Sequence, residues 1–349
     1  MSASPTTTGR PNDLRFLALT ALALAIFPFA FHLIGGYAGL ATQILIMGIA
    51  AIGFNLLLGY AGILSYGHAA FYGVGGYLGA LTLMKFFHGY QNLELAIVIG
   101  VLGAAVAAFL IGTLVVRLYG IYFALLTVAF AEMLFFIVFQ WRSLTNGDDG
   151  LQGIPSPKLF GALDLTSPLA ALSLGPLGDL SDLRWWYVFV AVLLLLVLFF
   201  VRRLVASQFG EVLGAIRENE ERSTFVGYRP RAYKLAAFVI SGALAGLSGA
   251  LRAIYDGSIS TSALSIETSG NFVIYTVIGG VKTLFGPLIG TAAIMYLQNV
   301  LSAKTDAWRL IEGLLFVLVI VFLPGGIMGS VRERLPIGKW IATRRETSR

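Results

Sequence analysis

Long apolar stretches, separated by short polar breaks, dominate the chain. No Asp, Glu, Lys or Arg occurs between Arg15 and Lys85, whereas a helix that crosses a bilayer needs only about 20 apolar residues. Cutting the chain at charges, Pro/Gly clusters and polar runs predicts ten apolar helices, at residues 15–34, 38–58, 67–87, 93–116, 120–139, 185–206, 234–254, 271–285, 287–303 and 308–324. The pattern therefore predicts an all-α polytopic membrane protein with about ten transmembrane helices.

The segment at 271–285 departs from this regular pattern. It is short, and Gly279 and Gly280 interrupt its apolar run. Broken helices are tolerated at membrane depth where other parts of the protein surround them. We therefore expect a re-entrant or tilted half-helix inside the bundle, and a total of nine or ten spans.

The overall composition agrees with a membrane protein. Apolar residues make up 57% of the chain and charged residues only 12%, with a mean hydropathy of +0.83; a soluble domain carries about 25% charged residues. The chain contains no cysteine, which excludes disulfides, thiolate metal ligands and cysteine nucleophiles.

The positions of Lys and Arg predict the orientation. Seven basic residues lie between Arg202 and Lys234, but only three lie between Gln140 and Arg184. Because loops rich in basic residues stay on the cytoplasmic side, we expect a cytoplasmic loop at 207–233. The loop at 140–184 is then external.

The same argument predicts the order of domains and explains the net charge of +6. Such a surplus of basic residues sets the orientation of a membrane protein, so we do not interpret it as nucleic-acid binding. The expected order is a cytoplasmic N-terminal arm (1–14), a transmembrane domain (15–330) and a basic cytoplasmic tail (331–349).

A glycine-rich break between Leu58 and Tyr66 is the first candidate functional feature. Such a break frees backbone groups that only protein or a water-filled path can satisfy, and similar breaks mark substrate routes in many transporters. Polar side chains in lipid are expensive and should face the interior. We predict a substrate pathway formed by Gly59, Gly62, Ser65, Gly67, His68, Thr127 and Glu132.

Structural roles are the alternative for each of these residues. A glycine in a membrane helix often serves close packing. Glu132 is alternatively a structural partner of a helix end or a hydroxyl, and His68 a hydrogen-bonded residue at a helix start. A glutamine at position 132 would separate the two roles, since unchanged uptake with reduced assembly would indicate structure.

Motifs for enzymatic chemistry are missing from the sequence. No G-x-x-x-x-G-K-[ST] phosphate loop occurs, and the nearest string, residues 279–283, lacks the adjacent Gly-Lys. Neither a cluster with metal-ligand spacing nor a nucleophile–base pair is visible, and buried acids are too few for a proton relay. We therefore expect a transport subunit that is not an enzyme and binds no cofactor or metal.

The polar loop from Gly210 to Gly227 predicts a contact with a partner. Leu213, Ile216 and Glu220 follow helical spacing, and Gly227 is a suitable stop. The pattern predicts one short polar helix. This helix is either a solvated connector or a coupling helix that docks into a separate ATPase and transmits its movement.

Four ordered blocks of sequence resemble a known family. They are Ala215-Ile-Arg-Glu-Asn-Glu220 with Gly227-Tyr228, residues 233–238 and 243–250; Asn55-Leu-Leu-Leu-Gly-Tyr-Ala-Gly62 with Ser65, residues 67–71 and 76–77; residues 144–155; and Val277-Ile-Gly-Gly280 with Gly286, Pro287 and Gly290. Together they resemble permease subunits of branched-chain amino-acid ABC importers, in particular the LivM-type subunit. Arg222 and Ser223 depart from the small alanines usual in that family.

The resemblance implies a type II ABC-importer-like permease in a bacterial inner membrane. The distribution of basic residues and an even number of spans predict that both termini are cytoplasmic. It also implies four kinds of partner: a second, H-type permease, two ATPase subunits that bind ATP and Mg, a periplasmic solute-binding protein and membrane lipid. The implied ATPase-coupling residues are Ala215, Ile216, Arg217, Glu218, Asn219, Glu220 and Gly227.

The external loop offers a second candidate docking surface. We expect Thr145, Asn146, Gly147, Asp148, Asp149 and Gly150 to seat the binding protein. Because these residues, together with Pro155, are turn formers, ordered turns without a docking role remain the alternative.

The resemblance implies branched-chain amino acids as the solute. Related importers that carry urea, short amides or aromatic compounds remain open, because the separate binding protein supplies most of the selectivity. An ion-coupled secondary carrier that works alone is the alternative of a different class. A purely structural scaffold would leave the glycine breaks and the polar loop unexplained.

Overall fold

The computed structural model describes residues 13–86, 92–169, 183–323 and 325–334. Each of the ten predicted apolar segments overlaps with a helix: α1 (Asp13–Leu33), α2 (Ala38–Asn55), α3 (His68–Leu81), α4 (Leu93–Val115), α5 (Ile121–Gln140), α7 (Trp185–Val205), α10 (Pro230–Asp256), α11 (Ile266–Gly279), α12 (Gly286–Ser302) and α13 (Trp308–Phe322). The predicted N-terminal arm and basic tail lie almost entirely outside the described residues, as do residues 170–182 of the predicted external loop.

Short elements connect these helices. They are α6 (Arg142–Thr145), α8 (Gln208–Glu218), α9 (Glu220–Phe225), α14 (Gly326–Arg334), and the two-residue strands β1 (Leu151–Gln152) and β2 (Ser258–Ile259). The strands pair in antiparallel fashion, with Leu151 opposite Ile259. The last turns of α2 and α3 continue as π-helix, over Leu56–Ala61 and Thr82–Phe86.

The prediction of an all-α polytopic membrane protein is confirmed. Seven helices in the described part of the chain are long and apolar enough to cross a membrane. The remaining three of the ten, α3, α11 and α12, have 14, 14 and 17 residues. Helix α13 is counted among the seven because its apolar span runs on to Ser330. The 14 residues of α11 extend about 21 Å at 1.5 Å per residue, less than the roughly 30 Å of a hydrocarbon core.

Helix α10 forms the centre of the bundle and packs most extensively against α2, α3 and α4. Small residues make this packing possible, because they let helix backbones approach closely in lipid. A Cβ atom on Gly249 would lie only 1.8 Å from the carbonyl oxygen of Tyr72. By contrast, α1, α5 and α13 have few buried residues, as expected for helices that face lipid or another subunit.

The bundle has two distinct ends. Helices α8 and α9 cover one, here called the α8–α9 end, and strands β1 and β2 lie at the other, the ribbon end. Helix α2 ends beside α8, whereas α10 starts beside α8 and ends beside β2. The two central helices therefore run in opposite directions.

The same order of parts follows each of these two helices. Each ends at a glycine with positive φ, Gly62 at +72° and Gly257 at +66°. A stretch without α-helix, which after Gly257 includes a 3-10 helix at Thr261–Leu264, then leads into a shorter helix, α3 or α11. The backbone N–H of Ala69 donates to the Ser269 hydroxyl at 2.9 Å. The starts of the two short helices therefore meet in the interior.

Helix α11 begins five residues earlier than the predicted segment at 271–285. The Ser265 hydroxyl accepts a hydrogen bond from the Thr268 N–H at 3.3 Å, which satisfies one of the free donors of the first turn. The helix ends at Gly279 because Gly280 adopts a φ of +119°. A serine cap therefore extends the helix into a polar stretch that hydropathy alone excludes.

Candidate functional site

The polar loop of the α8–α9 end folds into two helices rather than the single predicted helix. The prediction was wrong because Asn219 adopts an extended conformation, with φ of −158° and ψ of 106°. Its side chain accepts from the N–H of Arg222 at 2.8 Å and caps α9. Val212, Leu213 and Ile216 are buried, so α8 rests on the bundle through one apolar face.

Arg217 joins α8 directly to the glycine break after α2. Its guanidinium donates to the carbonyl of Gly59, and partial burial lowers the pKa of this guanidinium. Gly62 lies under the same side chain, where a Cβ atom would come within 2.6 Å of Arg217 Cγ. Gly59 and Gly62 therefore lie beside α8, apart from the other predicted pathway residues.

The loop between α11 and α12 meets the same end of α2. The Asn55 amide donates to the carbonyl of Thr283 at 2.8 Å and accepts from the N–H of Lys282 at 3.1 Å. These paired bonds fix the loop against α2. A displacement of α8 would therefore reach both α2 and the α11–α12 hairpin.

The second helix, α9, is attached by an ion pair. Glu220 accepts from the ammonium of Lys234, whose side chain is only 9% exposed and also lies 4.9 Å from the ring centre of Tyr119. Beyond this anchor, Phe225 and Val226 are 89% and 72% exposed. These two apolar side chains at the tip of a polar element are accessible to a partner.

The other predicted coupling residues lie on the free surface of the same element. Ala215, Glu218, Asn219 and Gly227 are exposed. A cleft of about 930 Å³ runs beside them. Its walls include Glu218, Glu221, Tyr228 and Arg229.

The structure brings together four of the seven predicted pathway residues. Ser65, Gly67 and His68 form the stretch that enters α3, and this stretch packs on Thr127 of α5. The N–H of Tyr66 donates to the Thr127 hydroxyl at 3.2 Å, and that of Gly67 donates to Ser65 Oγ at 3.3 Å. The freed backbone donors of the break are thus satisfied by protein side chains, as a break at membrane depth requires.

His68 is fully buried and is held by a short chain of hydrogen bonds. Its Nε2 lies 2.6 Å from the Ser241 hydroxyl, which itself donates to the carbonyl of Gly53 at 2.6 Å. Because the hydroxyl proton is already used, the pattern assigns the proton of the imidazole to Nε2. Nδ1 has no hydrogen-bond partner among the described residues.

Glu132 stands apart from this cluster. It lies five residues after Thr127 on α5 and is half-buried. Within the described part of the chain it makes no hydrogen bond or ion pair. Its predicted role, like those of the other pathway residues, stays a prediction.

The six predicted docking residues form one ordered turn at the ribbon end. The Thr145 hydroxyl donates to the carbonyls of Val138 and Trp141, at 2.6 and 2.9 Å. Gly147 and Gly150 are buried and adopt positive φ. The exposed members, which a partner could reach, are Asn146, Asp148 and Asp149.

A further carboxylate of this loop is fixed by its neighbours. The Asp164 side chain accepts from the hydroxyl and the N–H of Thr166, at 2.6 and 2.9 Å. These bonds hold the pKa of Asp164 below its ordinary value. The loop therefore keeps this negative charge on its surface.

Sequence reasoning missed a charged pair near the end of α10. Arg252 donates through Nε to Asp256 one turn later, and both side chains line a polar cavity of about 370 Å³ at the ribbon end. The available signal was the pair of opposite charges four residues apart, at the end of an apolar run.

The described residues contain no group of three His, Asp or Glu side chains that could hold a metal ion. The features that stand out are a helical bundle, an amphipathic helix pair at one end and a polar cavity at the other. Together they define a polytopic membrane permease.

Comparison with known proteins gives the family. The chain belongs to the family described as the permease component of branched-chain amino acid transport systems, whose model matches residues 36–323. This match confirms the family assignment made from the sequence blocks.

Two curated relatives agree with this family. The "High-affinity branched-chain amino acid transport system permease protein LivM" of Escherichia coli (strain K12) is 29% identical over 333 residues, which cover 92% of this chain and 76% of the relative. The protein of the same name from Salmonella typhimurium is 28% identical with the same coverage. No solved structure shows a significant match. Importers of urea, amides or aromatic compounds, and a secondary carrier, are not favoured by these matches.

Proposed function

We propose that this chain is one permease subunit of an ATP-driven importer that moves branched-chain amino acids inward. A related H-type permease would pair with it, and a solute-binding protein would deliver the amino acid at the ribbon end. Two separate ATPase subunits would bind ATP and Mg and supply the energy. The family match and the names of the two relatives support the solute class.

In this proposal the α8–α9 end faces the cytoplasm of a bacterial inner membrane, together with both termini. The basic residues support this orientation, because Arg202 and Arg203 at the end of α7 lie at the same end as α8. They pair with Asp13 at the start of α1, with the closer contact at 2.5 Å. The start of the first helix is thus at the basic end.

The observation that carries the proposal is the α8–α9 pair itself. Its buried face and the Arg217–Gly59 hydrogen bond connect it to the bundle, while Phe225 and Val226 project from its tip. An ATPase that closes on ATP could therefore push a firmly connected element. Rigid movement of a packed element is a common way to transmit such a change.

The test is to replace Phe225 by Ser and to measure co-purification of the ATPase subunits and ATP-driven uptake of leucine. Phe160→Ser is the matched control, because Phe160 is 82% exposed at the opposite end. We expect Phe225→Ser to reduce both readouts about tenfold, as for loss of a buried aromatic anchor, and Phe160→Ser to leave ATPase binding unchanged. Normal ATPase binding and uptake in Phe225→Ser would contradict the coupling role.

A further inference from the structure

The polar cavity at the ribbon end combines an unusual set of side chains for a membrane protein. It lies between α10, α11 and α12, and its volume of about 370 Å³ falls within the range of small-molecule sites. Ionisable residues near lipid are costly and are usually functional. The arginine and aspartate in its wall therefore require an explanation.

The Arg252–Asp256 pair leaves hydrogen-bonding capacity unused. Arg252 donates through Nε to Asp256 Oδ2, and Gln43 donates to Asp256 Oδ1 at 3.2 Å. Within the described residues, the two terminal nitrogens of Arg252 have no hydrogen-bond partner, although the side chain is only 26% exposed. If the pair had only a structural role, the terminal nitrogens of the planar guanidinium would not need to remain free of hydrogen bonds.

The remaining walls complete a site with one polar and one apolar side. Asn271 and Gln298 contribute amide groups, and Gln298 is held by a 2.8 Å hydrogen bond to Glu312. Met47 and Met295 contribute flexible apolar surface. Methionine adapts to apolar groups of varied shape, so this side suits an aliphatic side chain.

We propose that this cavity is a transient binding site for a hydrophobic α-amino acid. The terminal nitrogens of Arg252 bind its carboxylate, an arrangement for which the guanidinium geometry is well suited. Asp256 accepts from its ammonium group, and the methionines contact its side chain. The inference rests on the proposed function, because it assigns the amino acid to a place in the permease.

The first test uses the wild-type permease–ATPase complex in nanodiscs without the binding protein, observed by saturation-transfer NMR of the ligand. The probes are leucine, 4-methylpentanoate, which lacks the ammonium group, and 3-methylbutylamine, which lacks the carboxylate. We expect the strongest signal for leucine. Signals for 4-methylpentanoate and 3-methylbutylamine should each be about tenfold weaker, since each probe lacks one charged hydrogen bond. Equal signals for leucine and the amine would overturn the assignment of Arg252.

The second test compares Arg252→Gln with Arg309→Gln in the same complex. Arg309 is the matched control, because it forms an exposed ion pair with Glu267 at the same end and does not line the cavity. We expect Arg252→Gln to reduce the leucine signal about tenfold and Arg309→Gln to retain it. The basal ATPase rate and the elution volume verify that each complex is intact. If Arg252→Gln does not assemble, the comparison of the three probes on the wild-type complex tests the proposal alone.

The outcomes separate this inference from the proposed function. ATP-driven leucine uptake by the wild type, without any leucine signal at the isolated complex or with an equal signal in Arg252→Gln, would overturn the cavity site alone. Absence of ATP-driven uptake of any branched-chain amino acid by the complete system would overturn the proposed function.

Discussion

Two buried serines of α10 allow a controlled test of the polar contacts in the core. Ser241 and Ser248 are both fully buried, and both donate at 2.6 Å to a carbonyl of α2, that of Gly53 or Ile46. They differ in that only Ser241 also accepts from His68. Replacing each by alanine therefore removes the same atoms from two sites with different consequences.

The expected magnitudes follow from what each variant leaves behind. Ser248→Ala removes a donor from a helix carbonyl and should cost about 1 kcal/mol or less. Ser241→Ala also leaves the Nε2–H of His68 without an acceptor, and an orphaned buried donor costs about 1–3 kcal/mol more. Because Nδ1 already lacks a partner among the described residues, the imidazole would then have none.

The assay is the free energy of unfolding of the purified protein, measured by titration with SDS in mixed micelles. A double-mutant cycle with His68→Leu isolates the pair, because packing losses common to both backgrounds cancel. In the His68→Leu background, Ser241→Ala should destabilise the protein little more than Ser248→Ala does. The difference between the two backgrounds gives a coupling free energy of about 1–2 kcal/mol. Equal costs for the two serine variants, with a coupling near zero, would refute the reasoning.

Two further predictions concern packing and charge, both measured as the thermal unfolding midpoint in detergent. Gly249→Ala should destabilise the protein by about 1–3 kcal/mol, because the added Cβ would press on the Tyr72 carbonyl. Gly270 lies in open space, so Gly270→Ala should stabilise the protein by about 0.5–1 kcal/mol. The reverse order of stabilities would contradict the packing of α3 on α10. Glu220→Gln should destabilise the protein by up to about 3 kcal/mol, and by more than Lys234→Met, because the glutamine leaves the buried ammonium of Lys234 unpaired. A greater loss of stability in Lys234→Met would contradict the importance of this ion pair.

Much of the fold could be predicted from the sequence because membrane helices depend on long apolar runs. The glycine break was also visible, since Gly62 and Gly67 interrupt such a run. The missed boundaries depend on single polar residues, because Asn219 starts a new helix and Ser265 extends another. Both have recognisable N-cap chemistry, which hydropathy does not detect.

The candidate sites were less predictable because they join residues far apart in the chain. Arg217 and Gly59 are separated by 158 residues, and Ala69 and Ser269 by 200. No local sequence pattern predicts which helix ends will come into contact. The sequence predicted either a solvated connector or a coupling helix in the polar loop, and the coupling role stays a prediction. Only the fold shows that α8 rests on the glycine break.

The importance of Arg252 was hidden for a related reason. A charge near the end of an apolar run usually marks the membrane boundary, where a long side chain reaches water. The structure instead places this residue in the wall of a cavity, beside Asp256 and across from α11 and α12. The proposed site therefore rests on the surroundings of Arg252 and not on its position in the run.

The central claim, that separate ATPases drive an amino acid through this permease, is tested most directly in proteoliposomes with radiolabelled leucine. We expect accumulation only when this chain, a partner permease, the ATPase subunits, the loaded binding protein and ATP are all present. Omission of ATP should abolish it. Leucine uptake by this chain alone under an ion gradient, without ATP or partners, would contradict the account.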